Sequence, residues 1–369
     1  MDPNQTQRER EANEVFEALQ HIYTYGLSYI TSMSLGCALE LGIPDVIHNH
    51  EKPITIQELV SKLNLPIEKT LHLQRLMRLL VHSNFFSLVR LDNAHEYIDE
   101  KEGYVLTTST KFLLNTTNGN SQNVPNLLPL AKLILDPVSV GPLQFFGKWF
   151  HGNESTVFET AQGTSMWEFA NKNPRFNGVF NDAMASESQL MSFLVKDYQE
   201  IFEGVKTLVD VGGGTGLNAK ILLEAFPHMN CIVFDLPHVV TGMPETKNLK
   251  YVGGDMFSSI PSADAILFKN VLHNWSDDDV LKMLKRCREA IRLAGDKGKV
   301  IIIDMVIDEK HDRHEITETK MVFDIMMMIF VSGRERTEAE LKKLFLKAGF
   351  NRYKITPNSG LRPLIEVFP

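Results

Sequence analysis

The sequence predicts an α/β protein, with a nucleotide-binding sheet in its C-terminal half and a mostly helical module before it. Three observations carry this expectation. A β-branched apolar run at residues 207–211 stops at Gly212-Gly213-Gly214 and gives way to helical spacing over 217–226. Further apolar runs follow at residues 232–235, around Tyr251 and Val252, and at 265–269, each ending at or near a charged residue. Before residue 204, apolar side chains recur mainly at helical spacing.

The elements follow in chain order. Between Arg10 and Ser34, the residues Phe16, Leu19, Ile22, Tyr23, Leu27 and Ile30 lie at helix-like intervals, and Gly42 with Pro44 ends the apolar run. Thr55, with Glu58 three residues on, forms a capping box that opens a short helix. Pro66 opens a second helix reaching Leu80, and residues 85–89 and 104–107 read as paired strands around a polar loop. Helix, turn, helix and two strands make a winged-helix pattern, which also admits a DNA-binding regulator. The presumed recognition helix, however, holds Leu71, Leu73, Leu76, Met77, Leu79 and Leu80 beside Lys69, Arg75 and Arg78, so it reads as built for burial. A long helical segment over 123–150 leads onward, and a helix over 173–193 sets Phe180 and Met184 on one face. The expected organisation is a winged-helix-like domain at 1–122, a helical connection at 123–203 and a catalytic domain at 204–369.

The glycine turn is the most informative stretch. Without a Cβ, these residues let the backbone turn sharply and a ligand lie against it. Asp210, one residue before the turn, suits a ligand bearing an ammonium or a hydroxyl better than a pyrophosphate. Gly214, Gly216 and Ala219 also satisfy the looser G-x-G-x-x-A form, so a nicotinamide dinucleotide, and a glycine turn with no ligand, stay open on this segment. Asp235 ends the second strand, where an acid accepts hydrogen bonds from ribose hydroxyls. Asp255 suits an adenine amino group, with Met256 packed on the ring. Lys269 ends the fourth strand, and His273 follows shortly after. Ligands of open α/β sheets gather at such carboxyl ends.

Taken together, LVDVGGGTG, FDLPHVV, GGDMF, LHNW, GKVIIID, GRERTEAE and IEVFP resemble the plant phenolic O-methyltransferases that act on caffeic acid, flavonoids and isoquinoline alkaloids. The likeness extends upstream through SMSLGCALELGIPDVI, LMRLLVHSNFF and FNDAMASES, nearly the whole chain. It implies a class I methyltransferase Rossmann-like domain with an N-terminal, mostly helical winged-helix-like dimerisation domain, and a homodimer. It further implies S-adenosyl-L-methionine as cofactor, held by Gly212, Asp235, Asp255, Met256 and Lys269. His273 becomes the catalytic base, oriented by Asp304 and Glu335, and Phe180, Met184 and Met326 line the substrate pocket. Residues 353–355 and 364–368 resemble the antiparallel strand pair that closes this fold. The chain departs from the family at Asn274, where the histidine is usually followed by Asp, and at Asp304, where some members carry Glu.

The chemistry accounts for these residue types. A phenol of pKa near 10 is ionised to about one part in a thousand at neutral pH, so supplying phenolate is worth roughly 4 kcal/mol of barrier. An imidazole within reach takes the proton, and a carboxylate on its other nitrogen sets the tautomer.

Composition bounds the partners. The net charge of −8 disfavours general nucleic-acid binding, and no apolar run is long enough for a membrane span. The polar N-terminus and three scattered cysteines, Cys37, Cys231 and Cys287, fit a cytoplasmic protein. No metal site is expected, since the H-x-x-H of His311 and His314 lies in a polar loop. The expected activity is methylation of a phenolic hydroxyl on a flavonoid or benzylisoquinoline-type alkaloid. A phenylpropanoid methyltransferase and a nicotinamide-dependent oxidoreductase are the alternatives.

Overall fold

The computed structural model describes residues 3–91, 102–115, 125–292, 297–357 and 360–369. Its contacts divide the chain into two units, Met1–Asp136 and Pro137–Pro369. The stretch 123–203 is therefore shared between them rather than standing apart, with the helix Leu128–Ile134 in the first unit. The expected long helix there is broken into short pieces, Leu128–Ile134, Pro137–Val140, a 3-10 turn at Gly141–Phe145, and Phe146–Trp149. Pro137 and Pro142 lack the N–H that a continuous helix requires, and Gly141 and Gly147 weaken it further.

In the first unit, helices Pro3–Gly26 and Ser28–Glu40 are separated by a break at Leu27. Helix Ile43–His50 starts after Gly42 in the left-handed region, and helix Ile56–Lys62 starts at Thr55. The capping box is present: Glu58 N–H donates to Thr55 Oγ1 at 3.3 Å, and Thr55 N–H donates to Glu58 Oε2 at 2.9 Å. Helix Thr70–His82 precedes strands β1 (Phe86–Arg90) and β2 (Glu102–Leu106), which pair antiparallel in the winged-helix arrangement. Most of the polar loop between them lies outside the described residues. Only Leu73, Met77 and Leu80 of helix Thr70–His82 are buried, in a core with Ile43, Ile54, Leu59 and Phe86. Leu71 is 70% exposed, so within this chain one stripe of the helix meets the expected burial. The first helix leaves Phe16, Ile22 and Tyr23 exposed on the surface.

The second unit is built on a seven-stranded sheet. Its strands are β3 (Thr207–Val211), β4 (Asn230–Asp235), β5 (Leu249–Gly253), β6 (Ala265–Lys269) and β7 (Lys299–Ile303), with β10 (Arg352–Thr356) and β11 (Leu364–Phe368) at one edge. Two short strands, β8 (Val306–Ile307) and β9 (Arg336–Thr337), pair separately. The order is β10-β11-β7-β6-β3-β4-β5. All pairings from β7 to β5 are parallel, and β11 runs antiparallel to both its neighbours. Alternate side chains serve two cores. Val209, Val211, Ile266, Phe268 and Ile302 meet helices Asp277–Ala290 and Glu338–Lys347 on one face. Leu208, Leu267, Ile301 and Ile303 meet helices Met191–Asp197 and Leu217–Ala225 on the other. Burial on both faces explains why these strands read as unbroken apolar runs. Among the described residues, no single helix is long and apolar enough to cross a membrane.

Thr55→Ala removes one half of the capping box and is expected to destabilise the first unit by about 1 kcal/mol, whereas Thr55→Ser keeps most of it. Urea unfolding followed by circular dichroism checks this, and equal midpoints for wild type and Thr55→Ala would contradict it.

Candidate active site

The strand order reverses between β3 and β6, because β4 and β5 lie to one side of β3 while β6 and β7 lie to the other. The crevice beyond the carboxyl ends of this pair is where a doubly wound sheet takes its ligand. Gly212, Gly214 and Gly216 follow β3 with φ of 69°, 54° and 76°. At Gly216 a Cβ would lie 2.6 Å from the Tyr251 hydroxyl, so close packing as well as φ demands glycine there. The space beside Gly214 is open.

The acids expected at the strand ends are there. Asp235 spans the turn: Oδ2 accepts from Gly214 N–H at 2.9 Å and Oδ1 from Leu236 N–H at 2.7 Å. Asp255 accepts from Phe257 N–H at 2.9 Å and from the Ser258 hydroxyl at 3.0 Å, which fixes the loop after β5. Beside it, Met256 is half-buried against the core. Asp210 is buried beneath the turn, its carboxylate against Gly213, and its Oδ2 has no hydrogen-bond partner. Burial, together with the charge of Asp235 and against that of Lys269, pushes its pKa up to about 7.

At the end of β6 lies a charged cluster the sequence reading did not contain. Glu187, buried, sits 3.8 Å from Lys269 Nζ and 2.7 Å from an Arg362 guanidinium nitrogen, and it accepts a hydrogen bond from the Asn270 side chain. Burial disfavours its charge, but Arg362 and Lys269 outweigh that and hold its carboxyl below the usual range. Glu187 belongs to helix Pro174–Ser188, seven residues after Phe180 and three after Met184. That spacing puts all three on one face. Its contacts with Lys269 and Asn270 therefore turn the face bearing Phe180 and Met184 toward the crevice. Phe180 also packs edge-on against Trp167, with centroids 5.7 Å apart. Met326 lies on helix His314–Phe330, where the neighbouring Phe323 ring carries the Arg362 guanidinium 5.4 Å from its centroid.

His273 occupies a 3-10 turn, Leu272–Asn274, directly after β6. Ser276, not the histidine, caps the following helix. The imidazole is buried, and its Nδ1 lies 2.8 Å from Glu335 Oε1. Asp304 follows β7 immediately and is also buried. Its Oδ1 and the second oxygen of Glu335 have no hydrogen-bond partner. Burial alone would lower the imidazole pKa, yet the Asp304 charge and the hydrogen bond and charge of Glu335 raise it above the ordinary 6.5. Asp304 is itself lifted to about 6 by burial, against the pull of His273 and with the push of Glu335. The backbone N–H of Glu335 is held by Asp324 Oδ1 at 2.8 Å. Asn274 donates through Nδ2 to the Asn270 carbonyl at 3.1 Å, and Asn270 has φ of 56°. An ionised aspartate in its place has no hydrogen to give, so this departure from the family pattern closes the turn in its own way.

Sequence reading missed Glu187, Arg362, Asp324 and Arg336. Only Glu187 left a usable signal, its helical register with Phe180 and Met184. Among the described residues no group of three or more His, Cys, Asp or Glu is placed to hold a metal. His311 is 80% exposed at its side chain and bonds to Asp308. An adenosyl sulfonium compound suits the acceptors present: a buried carboxylate with one unpartnered oxygen beneath an open glycine turn, and acids closing the next two strands.

Glu187→Gln removes the carboxylate that Lys269 and Arg362 both approach, and loss of a buried partner costs about 3–5 kcal/mol. A depressed carboxyl adds stability above its unfolded value of 4.5, and that contribution disappears as pH falls through its own lower pKa. The variant should therefore show a lower Tm at neutral pH and a flatter acid limb. Calorimetry from pH 3 to 7 checks both, and parallel curves would contradict the assignment.

Comparison with known proteins shows the family. Residues 146–351 match the O-methyltransferase domain family, and residues 23–116 match the O-methyltransferase dimerisation domain. The chain is 48% identical to trans-resveratrol di-O-methyltransferase of Vitis vinifera, over 96% of this chain and 97% of that protein. It is 46% identical to isoflavone 7-O-methyltransferase of Glycyrrhiza echinata, over 98% of both. Among solved structures, the methyltransferase CalO1 of calicheamicin biosynthesis, with S-adenosylhomocysteine bound, superposes with a TM-score of 0.78 at 23% identity, covering 96% of this chain and 99% of that one. Human N-acetylserotonin methyltransferase in complex with S-adenosylmethionine gives 0.75 at 18%, covering 95% and 97%. These two likenesses speak for the fold, and the sequence relatives speak for the activity. The nicotinamide alternative falls with them, and the chain belongs to the S-adenosylmethionine-dependent plant phenolic O-methyltransferase family.

Proposed function

We propose that the protein methylates a phenolic hydroxyl of a flavonoid- or stilbene-type polyphenol, with His273 as general base. The observation that carries this reading is the buried His273 Nδ1–Glu335 Oε1 contact at 2.8 Å, set just beyond the carboxyl end of β6. With Nδ1–H donating to Glu335, the lone pair of Nε2 is left to accept the phenol proton. Asp304 and Glu335 then face a developing imidazolium in a poorly solvated setting, where their charge acts strongly. Bound S-adenosylmethionine supplies the methyl carbon as an electrophile. Gly212, Asp235, Asp255, Met256 and Lys269 would hold it, with Asp210 supporting the turn from beneath. Phe180, Met184 and Met326 offer adaptable apolar surface to a flat ring and hold the hydroxyl where proton and methyl move together. No metal enters this scheme. The exposed Phe16, Ile22 and Tyr23 in a chain with a dimerisation domain support a homodimer.

The acceptor class follows from the relatives named above, which act on resveratrol and an isoflavone by their names. A panel of stilbene, isoflavone, flavone, caffeic acid and benzylisoquinoline acceptors with labelled methyl donor, read by mass spectrometry, tests it. Methylation of the polyphenols is expected, and turnover of the alkaloid alone would overturn the assignment.

His273→Gln should lower kcat by about 100-fold or more while cofactor affinity changes little, as expected for loss of a general base. Because the base must be neutral, wild-type kcat should rise with pH on a limb set above 6.5. Glu335→Gln removes a contribution that raises the imidazole pKa, so that limb moves to lower pH while the maximal rate falls. A pH–rate profile of both enzymes checks the direction, and an unmoved limb would sink the pairing.

A further inference from the structure

We propose that Arg336 is a positioning residue of the methyl-transfer site: its guanidinium grips the backbone on both sides of His273 and thereby aims the imidazole. The proposal rests on the reading of His273 as the base. Arg336 is 3% exposed and stands next to Glu335. Its Nη1 donates to the Leu272 carbonyl at 3.1 Å and to the Arg334 carbonyl at 3.3 Å. Its Nη2 donates to the Trp275 carbonyl at 2.7 Å, and its Nε to Asp277 Oδ1 at 2.9 Å. Leu272 and Trp275 bracket the histidine, so one planar fork spans the turn that carries it.

Gly333 adds a contact of a different kind. A Cβ there would lie 1.9 Å from the His273 carbonyl oxygen and 2.6 Å from Trp275 N, so the backbone at Gly333 lies directly on the histidine's own backbone. Residues 333–336 thus hold the base by its ring through Glu335, by its flanking carbonyls through Arg336, and by its main chain through Gly333. A single bond at Nδ1 leaves the ring free to pivot about that point, whereas fixing the Cα–Cβ direction as well defines where Nε2 points. A misplacement on the order of 1 Å costs about 100-fold in rate. Arginine suits this task because its planar fork reaches two carbonyls at once, which a lysine ammonium does not do with fixed geometry. The same cation helps keep Asp304 ionised.

The test is a double-mutant cycle on the full-length protein: wild type, Arg336→Gln, His273→Gln and the double variant, with Arg336→Lys beside them. Turnover is measured with the best acceptor of the panel, and S-adenosylmethionine affinity by calorimetry. Proton NMR follows the downfield imidazole N–H signal, identified by its loss in His273→Gln. If Arg336 acts through His273, Arg336→Gln lowers kcat by about 30–100-fold with cofactor Kd within roughly threefold, and broadens the N–H signal. Arg336→Lys, keeping charge but not the fork, recovers only part of the rate. In the His273→Gln background the same change lowers the residual rate by less than about twofold, because the two side chains act as one unit.

An equal fall in both backgrounds, a parallel loss of cofactor affinity, or an unchanged kcat would overturn the proposal. Should Arg336→Gln fail to fold, Asp277→Asn provides the same comparison, since Asp277 is half exposed at its side chain and touches only Nε of the fork. It is then expected to lower kcat by about 3–10-fold in wild type and not in His273→Gln. No difference between the two backgrounds would count against Arg336. The two readings are separable, because the base is judged on His273→Gln alone and Arg336 on the difference between backgrounds.

Discussion

The 2.8 Å contact between His273 Nδ1 and Glu335 Oε1 joins segments 62 residues apart and is made in a setting that solvates charge poorly. Burial works against an imidazolium, and two buried carboxylates work for it. The anions win, so the ring sits above its ordinary pKa and keeps one nitrogen committed to a carboxylate. The strand ends around it set this arrangement. β6 must end at Lys269 for the turn 270–275 to start in the crevice, β7 must end at Ile303 to deliver Asp304, and the segment before β9 must lie on the turn to deliver Glu335.

Charge at the mouth of the sheet is arranged in pairs. Lys269 and Arg362 would repel one another in a buried site, and Glu187 stands between them. Because Glu187 also accepts from Asn270, the same carboxylate joins helix Pro174–Ser188 to the loop that precedes His273. This ties the apolar face of that helix to the end of the strand after which His273 follows. Asn274 adds a local closure by donating to the Asn270 carbonyl, which supports the left-handed conformation at that position.

Local chemistry was readable without coordinates. Thr55 and Glu58 form the capping box their spacing requires, the strands run where β-branched residues cluster, and Gly212, Gly214 and Gly216 turn at the positive φ that glycine adopts readily. The helical character of residues 123–150 is legible in the sequence, but its division is set by prolines and glycines inside the segment. In the structure they break it. The helix Thr70–His82 reads as built for burial, but apolar content alone does not say how wide a stripe its own chain covers.

The chain's own order of residues settled the alternation of strands and helices, the turn chemistry, the positions of acids at strand ends, and, through shared motifs, the family. It did not reveal the partnerships of Glu187, Arg362, Asp324 and Arg336. Each of these contacts spans a large sequence separation or depends on which face of a helix meets the sheet. A charged residue in a polar-looking string reads the same whether it faces solvent or a buried counter-charge. Only when the sheet closes and removes water do the distances of 2.7 Å at Glu187 and Arg362 and of 2.7 Å at Arg336 and Trp275 turn those residues from surface charges into the frame around His273.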